Sequence, residues 1–143
     1  MIYLDTSALV KRYIDEPGSE KVRLLMEQAD FIVVSRLAHI ETLSALIRRR
    51  KSLRLSDDDF ERLLHDFRAD WETFTSLEMN TDTLQPVDDV IKKHALRGAD
   101  SIHLSATIFL RNAVKDKITF VASDTELLAA AHKERFKTVN PCD

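Results

Sequence analysis

The stretch that decides the fold is the first one, MIYLDTSALVKRY (Met1–Tyr13). Ile2, Tyr3 and Leu4 are consecutive apolar residues without polar alternation, the pattern of a strand covered on both faces. The run stops on Asp5, Thr6 and Ser7, then resumes as Ala8, Leu9 and Val10 ahead of Lys11 and Arg12, a change from continuous to amphipathic spacing. Asp-Thr-Ser before such a run is ordinary helix-start chemistry, because the carboxylate accepts from backbone N–H groups that have no partner in the helix. A strand buried on both sides needs parallel neighbours and two layers of helices. The remainder of the chain has to supply them.

Apolar runs of strand length recur at Phe31–Ser35 (FIVVS), Ser76–Met79 (SLEM), Ile118–Ser123 (ITFVAS) and Lys137–Val139, the opening strand being Ile2–Asp5. Between them the spacing predicts helices over Gly18–Ala29, Leu37–Lys51, Asp57–Thr73 with Ser56 as cap, Thr83–Leu96, Asp100–Val114 and Thr125–Phe136. The expected architecture is α/β: one domain over residues 1–143, with a central, mainly parallel sheet of four or five strands flanked by helices on both faces. In the helix over Leu37–Lys51, Ile40, Leu43 and Ile47 read as the core stripe, and Glu41 shares a face with Ala38, Ser44 and Ala45. Phe67, Trp71 and Phe74 read as a helix-packing stripe, with a base-stacking platform as the alternative.

Composition narrows the chemistry. Hydrophobic residues make up 44% and charged residues 31% of 143, ordinary values for a globular protein. Two glycines leave no room for a glycine-rich phosphate loop, and the single cysteine, Cys142, excludes an internal disulfide and argues against a thiolate zinc site. No apolar run approaches the roughly 20 residues that span a bilayer, and the amino end lacks a secretory layout, so a cytoplasmic protein with no membrane association is expected. The formal net charge of −3 argues weakly against nucleic-acid binding through bulk positive charge.

In open parallel sheets, ligands settle beyond the carboxyl ends of the strands. Asp5 and Asp124 both follow strands and fall on that edge. Asp100, in LRGADSIHLSATIF, opens a helix that reads as heavily buried. Glu41, in LAHIETLSALIRRR, has small residues one turn on and no lysine or arginine there to pair with it. In ASDTELL, Ser123 and Glu126 form an S-x-x-E capping box, which places Asp124 at the first helical position. Each acid alone has a bland reading as a cap, a dipole partner or a solvated surface group. Together they would repel and raise one another's pKa values, a penalty that a hard dication such as Mg2+ or Mn2+ removes. The constellation reads as a metal site.

The settings YLDTSAL, the mid-chain Glu41, ADSIHLS and SDTELLAAA resemble, in order and along nearly the whole chain, the acidic motifs of the PIN-domain family, specifically of VapC-type toxins of toxin–antitoxin pairs. The resemblance implies catalytic, metal-binding acids at Asp5, Glu41, Asp100 and Asp124. It also implies that Ser7, with Thr6, holds Asp5 in place and that Ser123 shares the task of Asp124. The implied activity is endoribonucleolytic hydrolysis of RNA with Mg2+ or Mn2+, the implied inhibitor a cognate VapB-type antitoxin, and the implied assembly a homodimer. The groove of the helices between Leu37 and Thr73 is where a dimer mate or an antitoxin peptide would lie.

The residues suit that chemistry. Coordination to a dication lowers the pKa of water, and the cation neutralises charge developing on phosphoryl oxygens, so no histidine base is required. His103, one turn after Asp100, reads as structural rather than as a carboxylate or phosphate contact. Setting the four acids aside turns the charge balance from −3 to +1. Among the cations that then flank the acidic motifs, Lys11, Arg12, Arg48 and Arg49 are the candidate phosphate contacts, although cations also favour helix C-termini for dipole reasons. A phosphoacceptor domain fits poorly, because Asp5 stands alone and Asn80 follows the third strand; an Asp-x-Asp phosphatase fails because position 7 is Ser7. A catalytically inactive PIN-like module that binds RNA or protein is the remaining alternative, and metal-dependent cleavage separates it from a nuclease.

Overall fold

The opening strand, β1 (Ile2–Leu4), is the middle of a five-stranded sheet in the computed structural model, which describes residues 1–143. Its companions are β2 (Ile32–Ser35), β3 (Thr75–Leu77), β4 (Thr119–Val121) and β5 (Lys137–Val139), in the order β3-β2-β1-β4-β5. All four pairings are parallel, with Ile2 opposite Ile32 and Thr119, and Tyr3 opposite Val33 and Phe120. The helices are α1 (Thr6–Leu9), which runs into a 3-10 turn over Val10–Arg12, then α2 (Ser19–Gln28), α3 (Arg36–Ser52), α4 (Asp57–Trp71), α5 (Val87–His94), α6 (Gly98–Val114) and α7 (Thr125–Lys133).

Side chains alternate across each strand and so divide between two cores. Ile2, Leu4, Val34 and Val121 pack on one face with Leu9, Val22, Leu46, Phe67 and Trp71. Tyr3, Val33, Phe120 and Ala122 pack on the other with Val90, Leu104, Leu110, Leu127 and Phe136. Full burial of an aliphatic or aromatic side chain contributes about 1.5–3 kcal/mol, so a three-residue strand with every side chain covered can anchor the centre of the molecule. The expected α/β architecture with helices on both faces is the one observed, and the sheet is parallel throughout.

Several details differ from the sequence reading. β3 begins at Thr75 and ends at Leu77, leaving Met79 exposed beyond it. The helix expected from Thr83 starts at Val87, because Asn80 Oδ1 accepts from the N–H groups of Asp82 and Thr83 and holds a turn ahead of Pro86. α7 ends at Lys133, and Arg135 at φ 66 turns the chain so that Phe136 enters the core. The largest difference concerns α3. Ile40 and Ile47 are 59% and 53% exposed, and the buried positions are Ala38, Thr42 and Leu46. Helical periodicity identifies an apolar face but not which face is covered; here the covered face carries Ala38 and Thr42 beside Leu46, with Leu43 at its edge. Ser56 caps α4 as expected, accepting from Asp59 N–H, and Phe67 and Trp71 are buried packing residues rather than a stacking platform. No helix is long and apolar enough to cross a membrane.

The topology decides where chemistry can occur. The chain leaves β1 for β2 and β3 on one side, then returns to place β4 and β5 on the other. The carboxyl ends of β1 and β4 therefore flank the point where the connections diverge, the crevice in which such sheets take ligands.

Candidate active site

Asp5 leaves the end of β1 and Asp124 lies three residues beyond the end of β4, so both stand at that crevice. α3 begins on the same edge because it follows β2, and α6 begins there because it leads back down to β4; these bring Glu41 and Asp100. The four carboxylates line one cavity of about 420 Å³ together with Thr6, Ser7 and Ser123.

Asp5 is both cap and site residue. It is 4% exposed, and its Oδ2 accepts from Ser7 N–H at 3.0 Å and from the Ser7 hydroxyl at 2.6 Å. Ser7 Oγ in turn accepts from Ser123 N–H at 2.8 Å, while Asp5 N–H donates to the Val121 carbonyl at 3.0 Å. One short network thus ties the ends of β1 and β4 together and fixes the carboxylate. Ser7 contacts Asp5 as the sequence reading expected, whereas Ser123 joins the network through its backbone N–H to Ser7, a different role from the expected sharing of the task of Asp124. Thr6 does something else: its hydroxyl donates to Glu41 Oε2 at 2.6 Å and not to Asp5.

Glu41 has a second donor, and it makes the carboxylate contact that the sequence reading weighed for His103 and set below a structural role. His103, 1% exposed, places Nε2 2.9 Å from Glu41 Oε2 and 3.4 Å from Asp5 Oδ1, while Nδ1 lies 2.8 Å from the hydroxyl of Tyr3. An ionised carboxylate can only accept, so Nε2 carries the proton and donates to Glu41. Burial disfavours the charged ring, but the Asp5 charge, the Glu41 bond and charge, and Asp100 outweigh it, and the His103 pKa is raised from its ordinary value. Burial likewise pushes Glu41 up, and the bonds from His103 and Thr6 overcome it, leaving the carboxyl lowered. His103 is therefore structural in its burial and site-building in its contacts. Its position three residues after Asp100, on the same helical face, was the only signal in the sequence.

Asp100 sits in the first turn of α6 and is held differently. Burial raises its carboxyl, and the charges of Asp5, Asp124 and Glu41 raise it further, with His103 pulling the other way. Asp124 is the N-cap of α7, its Oδ1 accepting from Leu127 N–H at 2.8 Å. This corrects the expected capping box: Ser123 is drawn toward Ser7 by its backbone N–H, so the next residue takes the cap.

Two turns along α3 from Glu41 the lining turns basic. Lys11 and Arg49 line the cavity and both pair with Glu16, a lining residue that was not anticipated. Burial pushes the Glu16 carboxyl up, yet the bonds and charges of the two cations leave it lowered. Arg12 and Arg48 are not brought to the site. Arg12 pairs with Asp70 at 3.2 Å, beside a separate hollow, and Arg48 lies with Ile40 and Ile47 on the outer face of α3.

The donor set suits a hard cation. It consists of carboxylate oxygens, and the Asp100 carboxyl is raised by its like-charged neighbours, the repulsion that a dication relieves. The side chains share a cavity without closing into a finished ligand cage.

The chain matches the family model described as PIN domain over residues 2–133. It is 33% identical over 137 residues to ribonuclease VapC45 of Mycobacterium tuberculosis (strain CDC 1551 / Oshkosh), covering 92% of this chain and 90% of that protein. Among solved structures, FitAcB from Neisseria gonorrhoeae superposes with a TM-score of 0.72 at 17% identity, over 99% of this chain and 98% of the other. A toxin–antitoxin complex from Klebsiella pneumoniae gives 0.66 at 15% identity, over 99% and 98%.

Proposed function

The chain belongs to the PIN-domain family, in its VapC-type branch, and from that premise we propose that it is an endoribonuclease that hydrolyses RNA phosphodiester bonds with Mg2+ or Mn2+ and serves as the toxin of a VapBC-type pair. The observation that carries the reading is the meeting of Asp5, Glu41, Asp100 and Asp124 in one cavity at the sheet's switch point. The name of the mycobacterial relative, a ribonuclease, supports RNA as the substrate. A VapB-type antitoxin as inhibitor and a homodimer complete the proposal.

Asp5, Asp100 and Asp124 are the residues that would hold the dication. The chemistry it supplies when bound is neutralisation of phosphoryl charge and a lowered pKa for the attacking water. The protein's own groups do the rest. Ser7 fixes Asp5 by two bonds to Oδ2, and Tyr3 fixes His103, which with Thr6 grips Glu41 at Oε2. Glu41 Oε1 is left to accept a hydrogen bond from water and orient it for attack. In the reaction a water oxygen–phosphorus bond forms, the bond from phosphorus to the leaving ribose oxygen breaks, and the water's proton is passed on so that this oxygen departs as a hydroxyl.

The test is incubation of the purified, antitoxin-free chain with a panel of structured RNAs. Cleavage should require Mg2+ or Mn2+, cease with chelator, and be lost in Asp5→Asn with the fold retained. Intact RNA with either metal would hand the chain to the inactive RNA- or protein-binding module.

A further inference from the structure

The part of the cavity two turns along α3 from Glu41 carries a chain of cation, anion and cation. Glu16 Oε1 takes the Lys11 ammonium at 2.8 Å and Glu16 Oε2 takes the Arg49 guanidinium, so both carboxylate oxygens are engaged. Three separate segments meet there: the 3-10 turn after α1, the loop before α2, and the fourth turn of α3. The loop is built to hold Glu16. Its N–H donates to Ser19 Oγ at 3.0 Å, that hydroxyl donates to the Ile14 carbonyl at 2.8 Å, and Ser19 N–H returns to the Glu16 carbonyl at 3.0 Å.

The two cations are not equivalent. The Lys11 side chain is 7% exposed, and a buried ammonium requires a fixed counter-ion. The Arg49 side chain is 45% exposed, and an exposed ion pair is worth only about 0–1 kcal/mol. Removing Arg49 from Glu16 would therefore be cheap, because the carboxylate keeps Lys11. A guanidinium also carries five donors in a fork suited to phosphate, and the bond to Glu16 uses one of its nitrogens. Glu41, Ala45 and Arg49 line the cavity from one face of α3, and the eight residues from Glu41 to Arg49 amount to about 12 Å of helical rise. Ala45 between them leaves that path open. Such a spacing suits a phosphate next to the reacting one rather than the reacting phosphate itself.

We propose that Arg49 grips an RNA phosphate adjacent to the scissile bond and that Glu16 is its exchangeable place-holder, holding the guanidinium at the cavity until the phosphate displaces it and then remaining paired with Lys11. The assignment rests on the ribonuclease reading for the identity of the ligand. The cavity is then divided along α3: the end at Glu41 for the reacting bond, the end at Arg49 for strand grip.

The experiment is fluorescence anisotropy with a labelled, short single-stranded RNA of mixed sequence, titrated across NaCl without divalent metal, on full-length protein carrying Asp5→Asn to prevent cleavage. Adding Arg49→Ala should weaken binding about tenfold and reduce the log–log salt slope by about 0.7. Arg49→Lys should fall between, keeping the charge but losing the fork. Glu16→Gln should tighten binding by about threefold, since the competing carboxylate is gone. Arg48→Ala, on the outer face of α3, should change nothing. With cleavage restored, Arg49→Ala should raise KM and leave kcat unchanged. The proposal is overturned if Arg49→Ala behaves like Arg48→Ala, or if a Glu16→Gln protein that melts normally binds RNA more weakly. A parent chain that cleaves no RNA with either metal, yet binds it with Arg49 dependence, would sink the nuclease reading and support the subsite. Cleavage without Arg49 dependence would sink the subsite alone.

Discussion

Asp5 and Glu41 are gripped by a backbone N–H, two hydroxyls and a buried imidazole, whereas Lys11, Glu16 and Arg49, in the same cavity, are gripped chiefly by one another. The first arrangement is centred on Asp5 and His103, both almost fully buried, where salt screens little. The second depends on ion pairs between side chains five and thirty-three residues apart, and part of it faces water. On the proposed reading, the tightly held groups serve the chemistry and the ion-paired ones serve binding.

Four substitutions would break or sharpen that contrast. Asp5→Asn carries the largest expected effect, a loss of about a thousandfold in the single-turnover cleavage rate with little change in melting, since the amide oxygen can still accept from Ser7. His103→Ala comes next. It strips a donor from Glu41 and leaves the Tyr3 hydroxyl unpaired in the core, so cleavage should fall about tenfold to a hundredfold and urea unfolding should show a loss of about 2–4 kcal/mol. An unchanged rate in folded protein would reduce His103 to a packing residue.

Asp100→Asn tests the electrostatic burden of the acidic wall. A carboxyl raised above its unfolded value is most stabilising when protonated, and that contribution is lost as pH rises through the folded value. At neutral pH without metal the variant should therefore melt above the parent, and added Mg2+ should narrow the gap by stabilising the parent more than the variant. The smallest effect belongs to an ion-paired carboxylate far from the cavity. Burial pushes Glu134 up, but its bonds to Lys93 and His94 leave it lowered, so its contribution is present above the unfolded carboxylate pKa and disappears as pH falls through the folded value. Glu134→Gln should flatten the acid limb of a stability-versus-pH curve and leave cleavage untouched.

Asp5, Asp100 and Asp124 were legible because each sits where a strand run stops or a helical run starts, and parallel topology sends such places to one edge; Glu41, in the second turn of α3, was legible from its small neighbours and from the resemblance. Glu16 and His103 were not, since nothing local announces that a loop glutamate will meet Arg49 or that an imidazole will bridge back to Glu41. α3 shows the other limit. Ile40, Leu43 and Ile47 are periodic and apolar, but Ala38 and Thr42 face inward, with little side chain between the helix backbone and its neighbours. Ser123 lost the cap to Asp124 because its N–H is claimed by Ser7, from 116 residues away.

Gly18 adopts φ 91 with the Pro141 backbone so close that a Cβ would meet it at 2.9 Å. Lys21 adds bonds to the carbonyls of Asn140 and Asp143, and the Cys142 thiol one to that of Pro17. Asn140–Asp143 thus acts as a strut behind the very loop that aims Glu16. Clipping those residues, or fusing a bulky tag to them, would be felt inside the cavity first as a loosened Glu16–Arg49 pair, and more faintly at Ser123, which the Cys142 thiol also touches.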